Sequence, residues 1–279
     1  MAGVKTQKSA KFYEKVYNAR PWYHDFSSLG IQTYFPRSGL GGTISEYSPK
    51  YLVERFFESP LNFAKSAKNV LSGQSSMWCE WAIQNQRDKE KFILQYLAAA
   101  VDGCRQAGAS NPSVLEMFCA DGYYSFWMKK NLAVGKVTAI DMDKRSVQLG
   151  RIMNSVMGKD IDFISMDVFD VPQNEKYDMI LCAGGLYHLS NPEKLLKLCY
   201  EVAKHYLVIQ TVVTLETEDK DYFVRPAPGW KHGCRFTDAR LGEWLRQIGW
   251  KIVKHDRNEL RANRQLSDRG STYYLCKKP

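Results

Sequence analysis
Short apolar runs alternate with amphipathic stretches from Asn111 to the end of the chain, and this alternation constrains the fold more than any other feature of the 279 residues. Apolar strands separated by helices pair in parallel, because each crossover lays its helix back over the sheet and buries both faces. The runs predict strands at about 113–118, 136–141, 161–165, 177–183 and 205–213, with helices at about 123–131, 144–157 and 192–203. Pro192 stands where proline starts a helix, behind Ser190 and Asn191, either of which can cap it. A further helix from Thr237 to Ile248 is followed by Gly249, the residue type that lets a helix end in a left-handed turn. The last two strands, near 250–255 and 271–277, are expected to form an antiparallel hairpin that closes the sheet.

Two domains are expected, an N-terminal helical extension over 1–110 and an α/β domain over 111–279. Helical periodicity marks 9–18, 49–58 and, most clearly, 85–104, where Phe92, Ile93, Tyr96, Leu97 and Val101 share one face. Between the first two lies the irregular, aromatic stretch Ala19 to Gly42, with Trp22, Tyr23, Phe26, Tyr34 and Phe35. The extension is read as a cap over the site. Thr214 to Cys234 forms a loop rich in charge, proline and aromatic residues, long enough that a functional role is expected of it.

Composition narrows the class. A hydrophobic content of 44% with 25% charged residues belongs to a soluble globular protein, and no apolar run approaches the ~18 residues that span a bilayer, so no membrane partner is expected. Met1 to Lys15 is polar and lysine-rich and does not read as a secretory signal. Seven scattered cysteines, none in a Cys-x-x-Cys pair, point to a reducing compartment, the cytoplasm. Five scattered histidines lack metal-ligand spacing, so no metal is expected. The net charge of +9 suits an anionic partner such as RNA or a phosphorylated metabolite, and equally suits a solvated basic surface. Arg257, Arg261, Arg264 and Arg269, in the last connection, carry the same two readings. No motif sets an oligomeric state.

The chemistry concentrates at strand ends. Glu116 closes the first strand, Asp141 the second and Asp167 the third, so a parallel sheet brings all three carboxylates to one crevice. These acids suit a ligand with an amino-acid part, a ribose diol and an adenine, because a carboxylate after the second strand can accept from both ribose hydroxyls. The turn Phe118-Cys119-Ala120-Asp121-Gly122 then leads into a helix start near Tyr123, where backbone N–H groups can meet the ligand. A phosphate ligand would call for a Gly-x-x-x-x-Gly-Lys loop, which is missing from the chain.

At these positions the chain resembles the class I S-adenosylmethionine-dependent methyltransferases, over residues 113–279. The resemblance implies a Rossmann-like class I methyltransferase sheet, mainly parallel with an antiparallel last strand, with helices on both faces and S-adenosyl-L-methionine as cofactor. The family's first motif matches Val114-Leu115-Glu116 through Asp121-Gly122, where Glu116 supports the loop of Phe118, Cys119 and Asp121 that holds the methionine part. The second matches Val137 to Asp141 and implies Asp141 on the ribose and Met142 packed on the adenine. The third matches Ser165-Met166-Asp167, with Met166 beside the base and Asp167 at its amino group. The fourth runs from Tyr177 to Gly184, with Ala183 at the strand end lining the sulfonium. Tyr123 is expected to touch the cofactor carboxylate or the substrate. Phe118 and Ala120 replace glycines of the family pattern, and both are expected to keep ordinary negative φ, with Phe118 packed beside the cofactor. Leu186-Tyr187-His188 is similar to a segment of the tRNA wobble-uridine carboxymethyltransferases and their relatives, and Trp22-Tyr23-His24 resembles a Trp-Tyr-His stretch in those relatives.

Methyl transfer from a sulfonium is an in-line displacement, so alignment and removal of the acceptor's proton are the tasks left to side chains. His188 follows the fourth strand, and an imidazole of ordinary pKa, ~6.5, suits a base there; a pocket-wall histidine is the alternative. Tyr187 is read as orienting substrate or filling the wall. Trp22, Tyr23, His24 and His232 are read as substrate-side residues, with packing as the alternative. Three functions follow: methyl transfer to an oxygen or nitrogen of a small molecule, methyl or carboxymethyl transfer to tRNA, and a non-catalytic cofactor-binding domain.

Overall fold
β1 (Val114–Met117) is buried at all four positions because it occupies the middle of the sheet, between β2 (Val137–Asp141) and β4 (Tyr177–Ala183), and is parallel to both. In the computed structural model, which describes residues 11–33, 53, 56, 57 and 77–279, seven strands run in the order β3-β2-β1-β4-β5-β9-β8. β3 (Asp162–Ser165) and β5 (Ala203–Val213) extend the parallel part. β9 (Gly270–Lys277) is antiparallel to β5, and β8 (Lys251–Glu259) is antiparallel to β9, which gives the expected closing hairpin. The loop between β5 and the next helix folds a small ribbon of its own, β6 (Phe223–Val224) with β7 (Arg235–Phe236), where only an irregular loop was expected.

Helices cover both faces. α1 (Met77–Gln106) lies along β4, β5, β8 and β9, and its Ile93, Tyr96, Leu97, Ala100 and Cys104 join Met179, Leu181 and Val208 in one core. This helix, expected within the cap, is therefore a layer of the sheet. α2 (Tyr123–Asn131) and α3 (Lys144–Met157) complete that face. α4 (Pro192–Val202) and α5 (Asp238–Ile248) close the other through Leu195, Leu196, Leu241 and Leu245. Local chemistry sets the boundaries. Asp143 caps α3, Thr237 caps α5, and Asn191, rather than Ser190, caps α4 ahead of Pro192. Gly249 ends α5 at φ 106°.

Ahead of α1, a helix over 11–18 leads into Trp22 to Thr33, which docks against α2. The stretch 49–58 and the aromatics Tyr34 and Phe35 lie almost wholly outside the described residues. Among the described residues no helix is long and apolar enough to cross a membrane, and no cluster of three metal-ligating side chains occurs.

Candidate functional site
The carboxyl edge of the parallel strands collects the acids. Ala139 pairs with Glu116 across β1 and β2, and Asp141 pairs with Ser165 across β2 and β3, so the strand ends fan around the β1 turn. Glu116 is buried and accepts a hydrogen bond from Ser125, one turn into α2. Burial, and less strongly Asp121 and Asp141, push its pKa up to about 8, so this carboxyl carries its proton at neutral pH. Asp141, also pushed up by burial, accepts from Ala120 N at 3.0 Å and Asp143 N at 2.9 Å. Neither Glu116 nor Asp141 has a lysine or arginine in ion-pair contact among the described residues.

The turn itself departs from expectation. Phe118 and Ala120 adopt φ of 57° and 47°, in the left-handed region, as does Gly122 at 81°. The expectation of negative φ at Phe118 and Ala120 is overturned, and the hydrogen bonds give the reason. Cys119 N must reach Ile140 O and Ala120 N must reach Asp141 within five residues of the strand end, and only alternating left-handed residues fold the chain that sharply. Two glycines, Gly122 in the turn and Gly185 after β4, make room for aromatic rings. A Cβ on Gly185 would lie 1.9 Å from the Phe118 ring, and a Cβ on Gly122 would lie 2.4 Å from the Phe163 ring. Phe118 thus rests on the turn after β4.

Asp121, fully buried, does not face the crevice as a free acid. It accepts from the backbone N–H of Tyr23 at 2.8 Å and of His24 at 2.9 Å, and its other oxygen meets His24 Nδ1 at 2.5 Å. His24, read as a substrate residue, is buried in that pair and stacked on Tyr123. Trp22 is corrected as well: it is 4% exposed and donates its indole N–H to Val16 O at 2.9 Å, so it packs the core. The Tyr23 ring meets His24 edge-on at 4.7 Å, and burial and then Tyr187, Asp121 and Asp141 raise its phenol pKa. The Tyr123 ring is fully buried and its hydroxyl meets Glu90 and Ser28. Cys119 likewise keeps its thiol buried, leaving only its backbone at the turn.

The outer side of the crevice, beyond β2, is open. Met142 is 74% exposed beyond Asp141. Met166 N donates to Asp141 O at 3.0 Å, and exposed Asp167 accepts from Phe169 N at 2.9 Å, which fixes the turn that follows.

On the other side of the sheet centre, Ala183 ends β4 and Gly184 follows at φ 77°. Tyr187 and His188 lie on the next single turn, Leu186–His188, held by Cys234 N donating to Tyr187 O at 2.9 Å. Buried Arg235 pairs with Asp268 and stands 5.5 Å from the Tyr187 ring. Burial pushes the Tyr187 phenol up to about 12. His188 keeps an exposed edge, yet the surrounding protein, then Arg235 and His232, push its pKa down to about 4. The ordinary imidazole pKa expected of His188 is corrected accordingly: it is a neutral, weak base at pH 7. His232 is exposed and belongs to the same neighbourhood.

Sequence reading missed two groups here. Lys89 continues the apolar face of α1 one turn before Phe92 and Ile93, and it is 8% exposed. Gln210 is an amide within the apolar run of β5, 1% exposed and paired in register with Ala183. A polar residue on an otherwise apolar face was the available signal for both.

A mainly parallel seven-stranded sheet with this strand order, an antiparallel last pair and acids at the carboxyl edge defines a class I S-adenosylmethionine-dependent methyltransferase fold. A family model described as a methyltransferase domain matches residues 109–254, more than half of the chain, and the chain belongs to that family. Among curated relatives, the tRNA U34 carboxymethyltransferase of Campylobacter curvus (strain 525.92) is 35% identical over 86 residues, covering 30% of this chain and 28% of that protein. The ubiquinone biosynthesis O-methyltransferase of Pseudomonas savastanoi pv. phaseolicola (strain 1448A / Race 6) is 25% identical over 159 residues, covering 53% of this chain and 68% of that protein. The chain thus spans under a third of the length of the tRNA-modifying relatives it matches. Among solved structures, magnesium protoporphyrin IX methyltransferase from Synechocystis PCC 6803 with bound SAH superposes with a TM-score of 0.55 at 15% identity, over 82% of this chain and all of that one. The [4+2]-cyclase SpnF superposes with a TM-score of 0.50 at 17% identity, over 65% of this chain and 80% of that one. At these identities the likeness concerns the fold.

Proposed function
We propose that this chain transfers the methyl group of S-adenosylmethionine to an oxygen or nitrogen of a small-molecule acceptor. The observation that carries the reading is the pair Glu116 and Asp141, two strand-end carboxyl groups flanking a strained turn with no lysine or arginine paired to them. Asp141, with no basic partner, suits a ligand that brings hydroxyl donors and positive charge and disfavours one that brings phosphate, while protonated Glu116 supports the turn through Ser125. Asp141 would hold the ribose, Met142 and Met166 the adenine faces, Asp167 the adenine amino group, and Phe118, Cys119 and Ala183 the methionine side through the turn and the end of β4. When bound, the sulfonium supplies an activated methyl group.

The chain's own residues then align the acceptor. Tyr23 and Tyr187 form its walls, and His188 and His232 stand on its solvent side. With its pKa lowered, His188 offers a neutral ring nitrogen that accepts a hydrogen bond from an acceptor hydroxyl or amine. Residues 19–33 serve as the cap, tied down by Asp121. The buried free thiols support a reducing compartment such as the cytoplasm.

Calorimetry with S-adenosylhomocysteine tests the cofactor assignment. Asp141→Ala should weaken binding about 100-fold, near 2.7 kcal/mol, the size expected for hydrogen bonds to a charged group. Unchanged affinity would reject it. Incubation with labelled cofactor and a metabolite extract should give a labelled product of low molecular weight, and label in RNA would reverse the acceptor class.

Carboxymethyl or methyl transfer to tRNA is the second reading, favoured by the Leu-Tyr-His segment and by the tRNA U34 carboxymethyltransferases among the similar proteins. The hairpin arginines weaken it. Arg261 pairs with Asp88 at 2.6 Å and Arg269 with Glu259 at 2.6 Å, while Arg257 stands 3.6 Å from Glu218, so three of the four already face carboxylates.

A further inference from the structure
α1 runs against the direction of β4 and β5. Near its end, Cys104 Sγ lies 3.4 Å from Asp178 O, at the start of β4, and Gly103 lies against Tyr206, near the start of β5. Toward its beginning, the Phe92 ring stacks on Tyr273 with centroids 4.6 Å apart, and Tyr273 is in register with Gln210, itself in register with Ala183. Lys89 is one turn further on, about 4.5 Å beyond Phe92, and helical side chains lean toward the N-terminus. Its side chain thereby heads toward the carboxyl ends of β4 and β5, on the sheet face that Tyr273 and Gln210 share. The Lys89 amine has neither a carboxylate nor a hydrogen-bond partner among the described residues, although the side chain is 8% exposed. Burial accordingly pushes its pKa down to about 8.

Gln210 presents the complementary acceptor. Asn258 donates its amide N–H to Asp88 O at 2.7 Å, so its oxygen is what accepts from the Tyr273 hydroxyl at 2.8 Å. The Tyr273 oxygen in turn accepts from Ser271 at 3.0 Å, and the Ser271 oxygen accepts from Gln210 Nε2 at 2.9 Å. This chain of donors fixes the Gln210 amide with its nitrogen toward Ser271. Its Oε1 then faces the other way, buried and without a donor, 3.9 Å from where a Cβ on Gly184 would stand. Buried polar groups are rarely left unmatched, and two of opposite type beside the expected methyl position define a subsite.

We propose that Lys89 and Gln210 form the acceptor-binding floor and select a hydroxy acid, its carboxylate on the Lys89 amine and its hydroxyl donating to Gln210 Oε1 beside Gly184. The assignment rests on the methyltransferase reading above. Lys89 and Gln210 are specificity-determining residues in it, acting on the acceptor rather than on the cofactor.

Calorimetric titration of salicylate, benzoate and salicylamide into the full chain, with and without saturating S-adenosylhomocysteine, separates the two ideas. Failure of S-adenosylhomocysteine to bind overturns the methyltransferase reading alone, because the acid arms are read on the free protein as well. Salicylate should bind wild type and lose at least tenfold in Lys89→Met, while salicylamide, lacking the charge, changes less than twofold. Gln210→Leu should bring salicylate and benzoate to equal affinity. Lys89→Met should melt at or above the wild-type temperature, since it removes an unpaired amine from a largely buried side chain. Equal salicylate binding by wild type and Lys89→Met, no salicylate binding by wild type, or a lower melting temperature for Lys89→Met overturns the assignment. A parallel loss of S-adenosylhomocysteine affinity in Lys89→Met would place the amine on the cofactor and overturn it too.

Discussion

The two halves of the crevice treat their polar groups in opposite ways. On the β1–β2 side, Asp121 and Asp141 are satisfied by the protein itself, through the backbone N–H groups of Tyr23, His24, Ala120 and Asp143. On the β4–β5 side, Gln210 Oε1 is buried and unmatched, and Lys89, 8% exposed, has no carboxylate or hydrogen-bond partner among the described residues. A self-satisfied half is built in the fold before any ligand arrives. An unmatched half is stable only because the rest of the molecule tolerates its cost, which is the usual signature of groups kept for binding. The difference assigns the turn and the cofactor to the acids, and selection of the acceptor to the amine and the amide.

The largest effect should come from breaking the self-satisfied half. Asp121→Ala leaves His24 Nδ1 and two backbone N–H groups buried without acceptors, a loss of the kind that costs about 3–5 kcal/mol. Thermal melting should fall accordingly, with protease cleavage appearing first in 19–33. A variant as stable as wild type would show that Asp121 does not hold that segment.

Glu116→Gln should act through pH. Glu116 binds its proton more tightly in the fold than in the unfolded chain, with a pKa raised from 4.5 to about 8. Between those values the folded protein holds more protons than the unfolded one, so wild-type stability falls as pH rises through the window. Asp141, shifted in the same direction, adds to the slope. Glutamine keeps an oxygen to accept from Ser125 but cannot ionise. The variant should therefore gain on wild type by about 2 kcal/mol or more near pH 9 and show no gain near pH 4, in paired denaturant titrations. A constant difference across the range would mean that Glu116 is ionised in the fold.

The same division explains what could be read from the residues alone. Strand ends and acids are one-dimensional signals: Glu116, Asp141 and Asp167 each close an apolar run, and the parallel sheet gathers them whatever the details of packing. The helix caps Asp143, Asn191 and Thr237 are local in the same sense. Lys89 and Gln210 were hidden because each sits inside an apolar pattern of a different element, and only the register from Phe92 to Tyr273 to Gln210 brings them together. His24 and Trp22 misled for the converse reason. Their residue types suit a ligand, yet Asp121 and Val16, distant or unremarkable in sequence, claim their polar atoms. The ribbon of β6 and β7 was invisible because each strand has two residues, too few to show alternation.

Ala120 gives the smallest and sharpest test of the self-satisfied half. Its φ of 47° costs an L-residue about 1–2 kcal/mol, and its methyl group is too small to return that through packing. Glycine removes this strain but adds about 0.5–1 kcal/mol of unfolded-state entropy. The net for Ala120→Gly is a stabilisation of about 0.5–1 kcal/mol, with the Ala120 N–H still donated to Asp141. S-Adenosylhomocysteine affinity should stay within twofold of wild type, because the turn is already in the conformation that glycine would choose. If Ala120→Gly instead binds the cofactor product much more tightly, the strained turn is being reshaped by the ligand. The β1–β2 half would then be no more prebuilt than the half across the crevice.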